Sequence, residues 1–210
     1  MRNWTIIKWC GTRNSTFENP AADGALSPPH VLWEEASQME LWDAYLEDGS
    51  LAGRDLVRGQ PVPKGLYHLV CCVLVRHADG TYLLMKRAAG KETWPGVYEA
   101  SAGGSALKGE TGEQAARREL YEETGIRAGR LTRLYARKGP HTMYEGFLCE
   151  LDGAKDEIVL QPGETEGYRW ATRDELVQML RIDPPVLIVQ KGFWPYLGLD
   201  EAQSKGTPYC

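Results

Sequence analysis

The feature that most constrains the fold is a glutamate-rich segment that reads RELYEETGI over residues 118–126. On a helix, Glu119, Glu122 and Glu123 are i, i+3 and i+4 neighbours, so their three carboxylates share one face. Like charges at this spacing repel each other, whereas a divalent cation that prefers oxygen ligands makes the arrangement favourable. The segment therefore predicts a helix with an acidic face that binds a metal ion.

The residues around this segment predict where the helix begins and ends. Thr111 is a good N-cap, and Gln114 three residues later has the spacing of a capping box. Gly125 stands where a C-cap glycine is expected. Apolar residues on the opposite face would anchor the helix on a sheet: Ala115, Ala116 and Leu120. Arg118 precedes Glu122 by four positions, so we expect its guanidinium to orient a carboxylate.

The longer spacing, from Gly104 through Glu110 to Ile126, fits the pattern G-x5-E-x7-R-E-U-x-E-E-x-G-U, where U is aliphatic. In this pattern the chain resembles the Nudix family, which hydrolyses a nucleoside diphosphate linked to another moiety. The resemblance implies an α+β fold, an α/β/α sandwich with a mixed sheet. It also implies that Mg²⁺, or alternatively Mn²⁺, is bound by the three glutamates with a backbone carbonyl near Gly104.

Hydrolysis of a diphosphate needs a base that takes a proton from the attacking water. Glu119 and Glu122 are candidates, and Arg118 would orient them, while Glu110 would support the junction between loop and helix. In some members of the family the base lies in a distant loop, which here makes Glu164 a candidate together with Glu166. Candidate contacts to the substrate are Arg87, Trp94 and Tyr98, although aromatic residues near a sheet more often belong to the core.

The flanking sequence resembles the isopentenyl diphosphate isomerase-like branch of the family over about residues 39–182. The segments that carry this resemblance are Leu41-Trp42-Asp43, Gly53-Arg54, Arg58-Gly59, Lys64 to His68 and Trp94-Pro95-Gly96. Two departures argue against the isomerase: Gly103 replaces its catalytic cysteine, and Ser105 replaces a metal-binding histidine. Neither Cys71 nor Cys72 stands at the matching sequence position, although His68 matches a histidine of the isomerase.

We therefore expect Mg²⁺-dependent hydrolysis of a diphosphate bond. The alternatives are isomerase-type activity and a nucleotide-binding module without catalysis. Two weak substrate markers of the family conflict, because Pro140 is close to the position typical of ADP-ribose hydrolases and Tyr144 to that of dinucleoside polyphosphate hydrolases.

Hydrophobic periodicity and turn residues predict many strands around two helices. The expected strands span residues 40–46, 51–57, 66–76, 81–86, 97–102, 131–137, 143–151, 157–161 and 167–171. A second helix is expected from residue 173 to about 180. We divide the chain into an irregular N-terminal extension (1–38), a Nudix hydrolase domain (39–183) and a C-terminal tail (184–210).

Composition restricts the partners. A net charge of −5 in 210 residues argues against a broad nucleic-acid surface, and the apolar runs are too short to cross a membrane. An odd number of cysteines without a CxxC pair, and no signal peptide at the N-terminus, predict reduced thiols in a cytoplasmic protein. The expected partner is a small-molecule diphosphate, and tail aromatics (Phe193, Trp194, Tyr196) suggest a homodimer contact.

Overall fold

The computed structural model describes residues 39–92, 94–100, 102–182 and 191–199. The predicted N-terminal extension and residues 184–190 and 200–210 of the predicted tail lie outside the described residues. Neither of the two α-helices within these described ranges is long and apolar enough to cross a membrane.

Nine strands and two helices follow one another along the described chain. In order they are β1 (Leu41–Tyr45), β2 (Leu51–Val57), β3 (His68–His77), β4 (Tyr82–Arg87), β5 (Tyr98–Glu99), β6 (Ala102–Ser105), α1 (Gly112–Thr124), β7 (Leu131–Lys138), β8 (Thr142–Leu151), β9 (Thr165–Ala171) and α2 (Arg173–Ile182), and a 3₁₀ turn follows at Lys191–Phe193.

The larger sheet is mixed. Its strand order is β5-β4-β3-β8-β7, with β6 added on β3 and β9 added on β4. The central pair β3–β8 is parallel, and the other pairs are antiparallel. β1 and β2 form a separate antiparallel pair. Strand β3 is buried on both faces, as its continuous apolar sequence predicts.

Each face of the larger sheet is covered by one helix. Val73 and Leu83 pack with Leu120 of α1 on one face. Leu74 and Leu84 pack with Leu176 of α2 on the other. Because successive side chains of a strand point to opposite faces, the adjacent residues of β3 belong to different clusters. The predicted α+β fold, an α/β/α sandwich, is confirmed.

The ends of α1 are those that the sequence predicts. Thr111 Oγ1 accepts a hydrogen bond from the Gln114 backbone N–H, and Gln114 Oε1 accepts one from the Thr111 N–H at 2.8 Å. Gly125 has a φ of +73° and donates its N–H to the Tyr121 carbonyl. This left-handed conformation favours glycine, because a Cβ would be strained there.

Three details differ from the predictions. The expected strand 157–161 is irregular, since Val159 donates its N–H to the Thr124 carbonyl at the end of α1 instead of to a strand. The expected strand 97–102 is replaced by β5 and β6, so Gly103 and Gly104 lie within a strand rather than after it. Phe193 and Trp194 are buried in the core beside α2 and Tyr196 is partly buried there, so these rings form no exposed patch, while the homodimer itself stays a prediction.

Candidate active site

Strand β6, the end of β4, helix α1 and the loop before β9 surround a cavity of about 370 Å³. Its walls are strongly charged. The carboxylates are Glu40, Glu99, Glu119, Glu122, Glu123 and Glu164, and the cations are Arg58, Arg87, Lys91 and Arg118. In the part of the chain that the structure describes, no aromatic side chain lines this cavity. A site of this composition suits a small, highly charged ligand.

The three glutamates of α1 lie on the wall of this cavity but differ in burial. The Glu119 side chain is 15% exposed, whereas that of Glu122 is 43% exposed. Burial raises the pKa of Glu119 above its ordinary value. Burial, followed by the nearby carboxylates of Glu99 and Glu119, raises the pKa of Glu123 well above its ordinary value, and a hydrogen bond from the Gly103 N–H opposes this effect. A cation beside these carboxylates would relieve their repulsion.

Arg118 links the acidic face of α1 to the preceding loop. Its Nε and Nη2 donate to the two carboxylate oxygens of Glu110 at 2.8 and 2.9 Å. Its Nη1 donates to Glu119 Oε1 at 2.8 Å and to Glu122 Oε2 at 3.2 Å. Hydrogen bonds to Arg118 lower the pKa of Glu110, which also accepts the Leu107 N–H at 2.8 Å. Glu110 therefore holds the junction between loop and helix.

Two adjacent glycines bring β6 close to its neighbours. A Cβ on Gly104 would lie 2.5 Å from Glu119 Oε1, and a Cβ on Gly103 would lie 2.1 Å from the Cys71 carbonyl oxygen. Real Cβ atoms do not approach other atoms so closely, so a side chain at Gly103 would displace backbone and one at Gly104 would displace the Glu119 carboxylate. The carboxylate of Glu119 is thereby held directly against the backbone of β6.

The donor set fits a hard divalent cation, because it consists of carboxylate oxygens on one wall of a polar cavity. Among the described residues, no three His, Cys, Asp or Glu side chains already surround a common point as metal ligands. Arg118 Nη1 donates to both Glu119 and Glu122 and so links these two carboxylates.

The model of the NUDIX domain matches residues 66–188, which is more than half of the chain. The chain belongs to the Nudix family. An uncharacterized Nudix hydrolase of Listeria monocytogenes is 39% identical over 142 residues, which cover 66% of this chain and 83% of that protein. Similarity to Nudix hydrolases supports a hydrolase.

More distant relatives carry a different activity. The isopentenyl-diphosphate Delta-isomerase of Salmonella typhi is 30% identical over 154 residues, which cover 68% of this chain and 82% of the isomerase. A crystal structure of a Deinococcus radiodurans protein has a TM-score of 0.55 and 22% sequence identity, and covers 66% of this chain and 87% of that one. This last likeness supports the Nudix fold alone.

The structure places only one of the two glutamates that the sequence offers as alternative bases in the cavity lining. Glu164 lines the cavity and forms an ion pair with Lys91. Glu166 does not line it, because its carboxylate contacts Lys86 at 2.7 Å and accepts the Ala89 N–H at 2.9 Å. Glu164 therefore remains a candidate base, whereas the geometry gives Glu166 a structural role.

Of the three predicted substrate contacts, the structure places only one in the cavity lining. Arg87 lines the cavity and contacts Glu99 at 3.1 Å. Trp94 is 45% exposed and Tyr98 packs at the edge of the core beside α2, and neither is among the residues that line the cavity. The Arg169 guanidinium instead lies over the Tyr98 ring, and the distance from the guanidinium carbon to the ring centroid is 5.2 Å.

His68, which matches a histidine of the isomerase, lies outside the cavity lining. Its ring stacks on Trp42 at 4.4 Å and is within 3.0 Å of the Thr142 hydroxyl. Burial lowers the pKa of His68. These contacts support a structural role.

Tyr144, one of the two substrate markers, lines a separate groove beside Tyr45 and Lys138.

Sequence reasoning missed several residues of the cavity. Cys72 does not match the isomerase cysteine in sequence, yet it pairs with Gly103 across β3 and β6 and lines the cavity. Its buried thiol accepts a hydrogen bond from Tyr135, and burial raises its pKa well above its ordinary value. Strand pairing brings Cys72 here, so a search for contiguous motifs could not find it.

The pair β1–β2 adds residues from outside the matched NUDIX segment. Arg58 and Glu40 form an ion pair at 2.6 Å and line the cavity. This pair of strands is attached to the loop before α1, since Asp43 accepts the Gly109 N–H at 2.7 Å and Asp55 contacts Lys108 at 2.7 Å. The two strands thus help to fix the loop that leads into the acidic helix.

Proposed function

We propose that the protein is a Mg²⁺-dependent hydrolase that cleaves a diphosphate bond in a nucleoside diphosphate linked to another group, or in a related small molecule. The observation that carries this proposal is the composition of one cavity. Three α1 carboxylates line it together with the cations Arg58, Arg87 and Lys91. A cytoplasmic location agrees with reduced, free Cys71, Cys72 and Cys149.

The α1 carboxylates have the role of metal ligands. Glu119, Glu122 and Glu123 would hold Mg²⁺, with Mn²⁺ as the alternative, on the wall beside Gly104. When bound, the ion would screen the charge of the diphosphate and lower the pKa of a bound water. Arg118 would position Glu119 and Glu122, because its guanidinium already contacts both and is fixed by Glu110.

The cations are held in place by carboxylates that a substrate can replace. Arg87 is paired with Glu99, and Lys91 is paired with Glu164. A diphosphate that draws Lys91 toward its own oxygens would release the Glu164 carboxylate. Glu164 would then be available to accept the proton of the attacking water, whereas Glu119 and Glu122 are the alternative bases on α1.

A hydrolysis panel tests this function. The wild type with Mg²⁺ is offered ADP-ribose, dinucleoside polyphosphates, nucleoside triphosphates and isopentenyl diphosphate, and products are identified by mass. For the best substrate, we expect Glu119→Gln and Glu122→Gln to lower kcat by roughly 100-fold or more, since each removes a charged ligand of the metal. Removal of the metal with a chelator should abolish turnover of the wild type.

Glu113→Gln is the matched control, because Glu113 is on the same helix but pairs with Arg117 outside the cavity. It should keep wild-type activity. Turnover that is unchanged in Glu119→Gln and Glu122→Gln, or that persists without any divalent ion, would contradict the proposal.

Isomerase-type activity is the second candidate, favoured by Cys72 beside Gly103 on the cavity wall and by the isomerase relatives. Conversion of isopentenyl diphosphate without a change in mass would replace the proposal by this candidate. Nucleotide binding with no turnover of any panel member would instead indicate a non-catalytic module.

A further inference from the structure

Thr165, the first residue of β9, has a buried hydroxyl without a partner. The residue is one of those that line the candidate cavity, and it is only 6% exposed. Its Oγ1 finds no hydrogen-bond partner in the structure. A hydroxyl in this condition is unfavourable in the free protein, because burial has removed its bonds to water without replacing them.

Thr165 lies among the groups that would bind phosphate. It is the cross-strand partner of Arg87 in the β4–β9 pair. Its neighbour Glu164 holds Lys91. The turn before Thr165 is fixed, since the N–H groups of Glu164 and Thr165 both donate to the Gln161 carbonyl at 3.1 Å. Thr165 is therefore held on a fixed backbone and lines the same cavity as Arg87 and Lys91.

We propose that the Thr165 hydroxyl is a substrate-binding group that donates a hydrogen bond to a diphosphate oxygen beside Arg87 and Lys91. Oγ1 is covered in the ligand-free protein, so donation to the ligand requires the side chain to turn about χ1. This inference rests on the proposed function, because it takes the diphosphate as the ligand of the cavity. It also explains why a polar residue occupies a position where valine would fit.

The test separates binding from stability. Binding of imidodiphosphate, a diphosphate that resists hydrolysis, is measured by calorimetry with Mg²⁺ for the wild type, Thr165→Val and Thr165→Ser. We expect Thr165→Val to weaken binding about tenfold, which corresponds to about 1.4 kcal/mol. Thr165→Ser should stay within about twofold, since it keeps the hydroxyl. The Tm of free Thr165→Val should equal or exceed that of the wild type, because an unpaired hydroxyl has been removed.

Thr132→Val is the control for the same substitution in a strand, because Thr132 is an exposed residue of β7 outside the cavity lining. It should leave imidodiphosphate binding unchanged. Equal binding by Thr165→Val and the wild type would overturn this inference and leave the proposed function intact. In a different outcome, Thr165→Val has a lower Tm than the wild type, Thr165→Ser has the wild-type Tm, and both variants have unchanged binding. That result would show that the hydroxyl stabilises the fold and does not bind the ligand. A wild type that does not bind imidodiphosphate would also overturn this inference, whereas the hydrolysis panel decides the proposed function independently.

Discussion

At the scale of single residues, the adjacent Gly103 and Gly104 have different roles, because each leaves room for a different neighbour. The missing Cβ of Gly103 makes room for the backbone of β3, and that of Gly104 makes room for the carboxylate of Glu119. Backbone in the centre of a sheet cannot move aside, whereas a side chain can turn away. Substitution of the first glycine should therefore affect folding, and substitution of the second should affect the site.

We predict that Gly104→Ala lowers kcat for the best substrate by roughly 100-fold, because a displaced Glu119 no longer has its productive position. Its Tm should remain close to that of the wild type. Steady-state kinetics and thermal unfolding measure the two effects. Gly129→Ala is the control, since a Cβ there meets no atom within 4 Å. Wild-type kinetics in Gly104→Ala would show that the position of Glu119 does not limit the reaction.

Gly103→Ala should instead destabilise the fold by about 3 kcal/mol, because its Cβ would overlap the Cys71 carbonyl oxygen and force the strands apart. Urea unfolding followed by circular dichroism measures this loss. A Gly103→Ala variant as stable as the wild type would mean that β6 can shift away from β3 without cost.

The two loop glutamates mark the limit of sequence reasoning at this scale. Glu164 and Glu166 are two residues apart, and the sequence predicts both in one polar loop and offers both as bases, whereas the structure places Glu166 in β9. The register between β4 and β9 shifts between Lys86 and Arg87, so that Arg87 faces Thr165 and Glu166 is skipped. This irregularity depends on the pairing of two distant segments, and no local pattern encodes it.

At the scale of elements, α1 was predictable because its signals are local. Its caps, its apolar side and its acidic face all follow from residues within one or two turns. The predicted strand 157–161 failed because the backbone of Val159 bonds to the end of α1, which the local pattern does not reveal. Lys91 reaches the cavity from the loop between β4 and β5, and Arg58 from the end of β2, so no local pattern predicts that they meet.

The capping box of α1 supports the element that carries the site. We predict that Thr111→Ala lowers the free energy of unfolding by about 1 kcal/mol, because the Gln114 N–H loses its acceptor. In urea unfolding, the midpoint should fall while the slope m stays the same. Thr111→Ser keeps a hydroxyl acceptor and should be nearly as stable as the wild type. Equal midpoints for the alanine and serine variants would show that the cap contributes nothing.

At the scale of the whole molecule, the described end of the chain completes the core instead of extending from it. Phe193 is 1% exposed and packs edge-to-face on Tyr135 at 5.1 Å. The Tyr135 ring lies against Gly146 and Gly192, where a Cβ would overlap it. Because the Tyr135 hydroxyl bonds to Cys72 on the cavity wall, the segment 191–199 supports the site from behind the sheet.

This arrangement predicts that Phe193→Ala destabilises the protein by about 3 kcal/mol or more, since it removes a fully buried ring. For a chain of this length, the loss should lower the Tm by roughly 8 °C. Leu51→Ala, at a position that is 61% exposed, is the control and should change the Tm little. A Tm of Phe193→Ala equal to that of Leu51→Ala would show that the segment 191–199 does not pack on the sheet in solution. Tyr135 and Cys72 would then be held by the sheet alone.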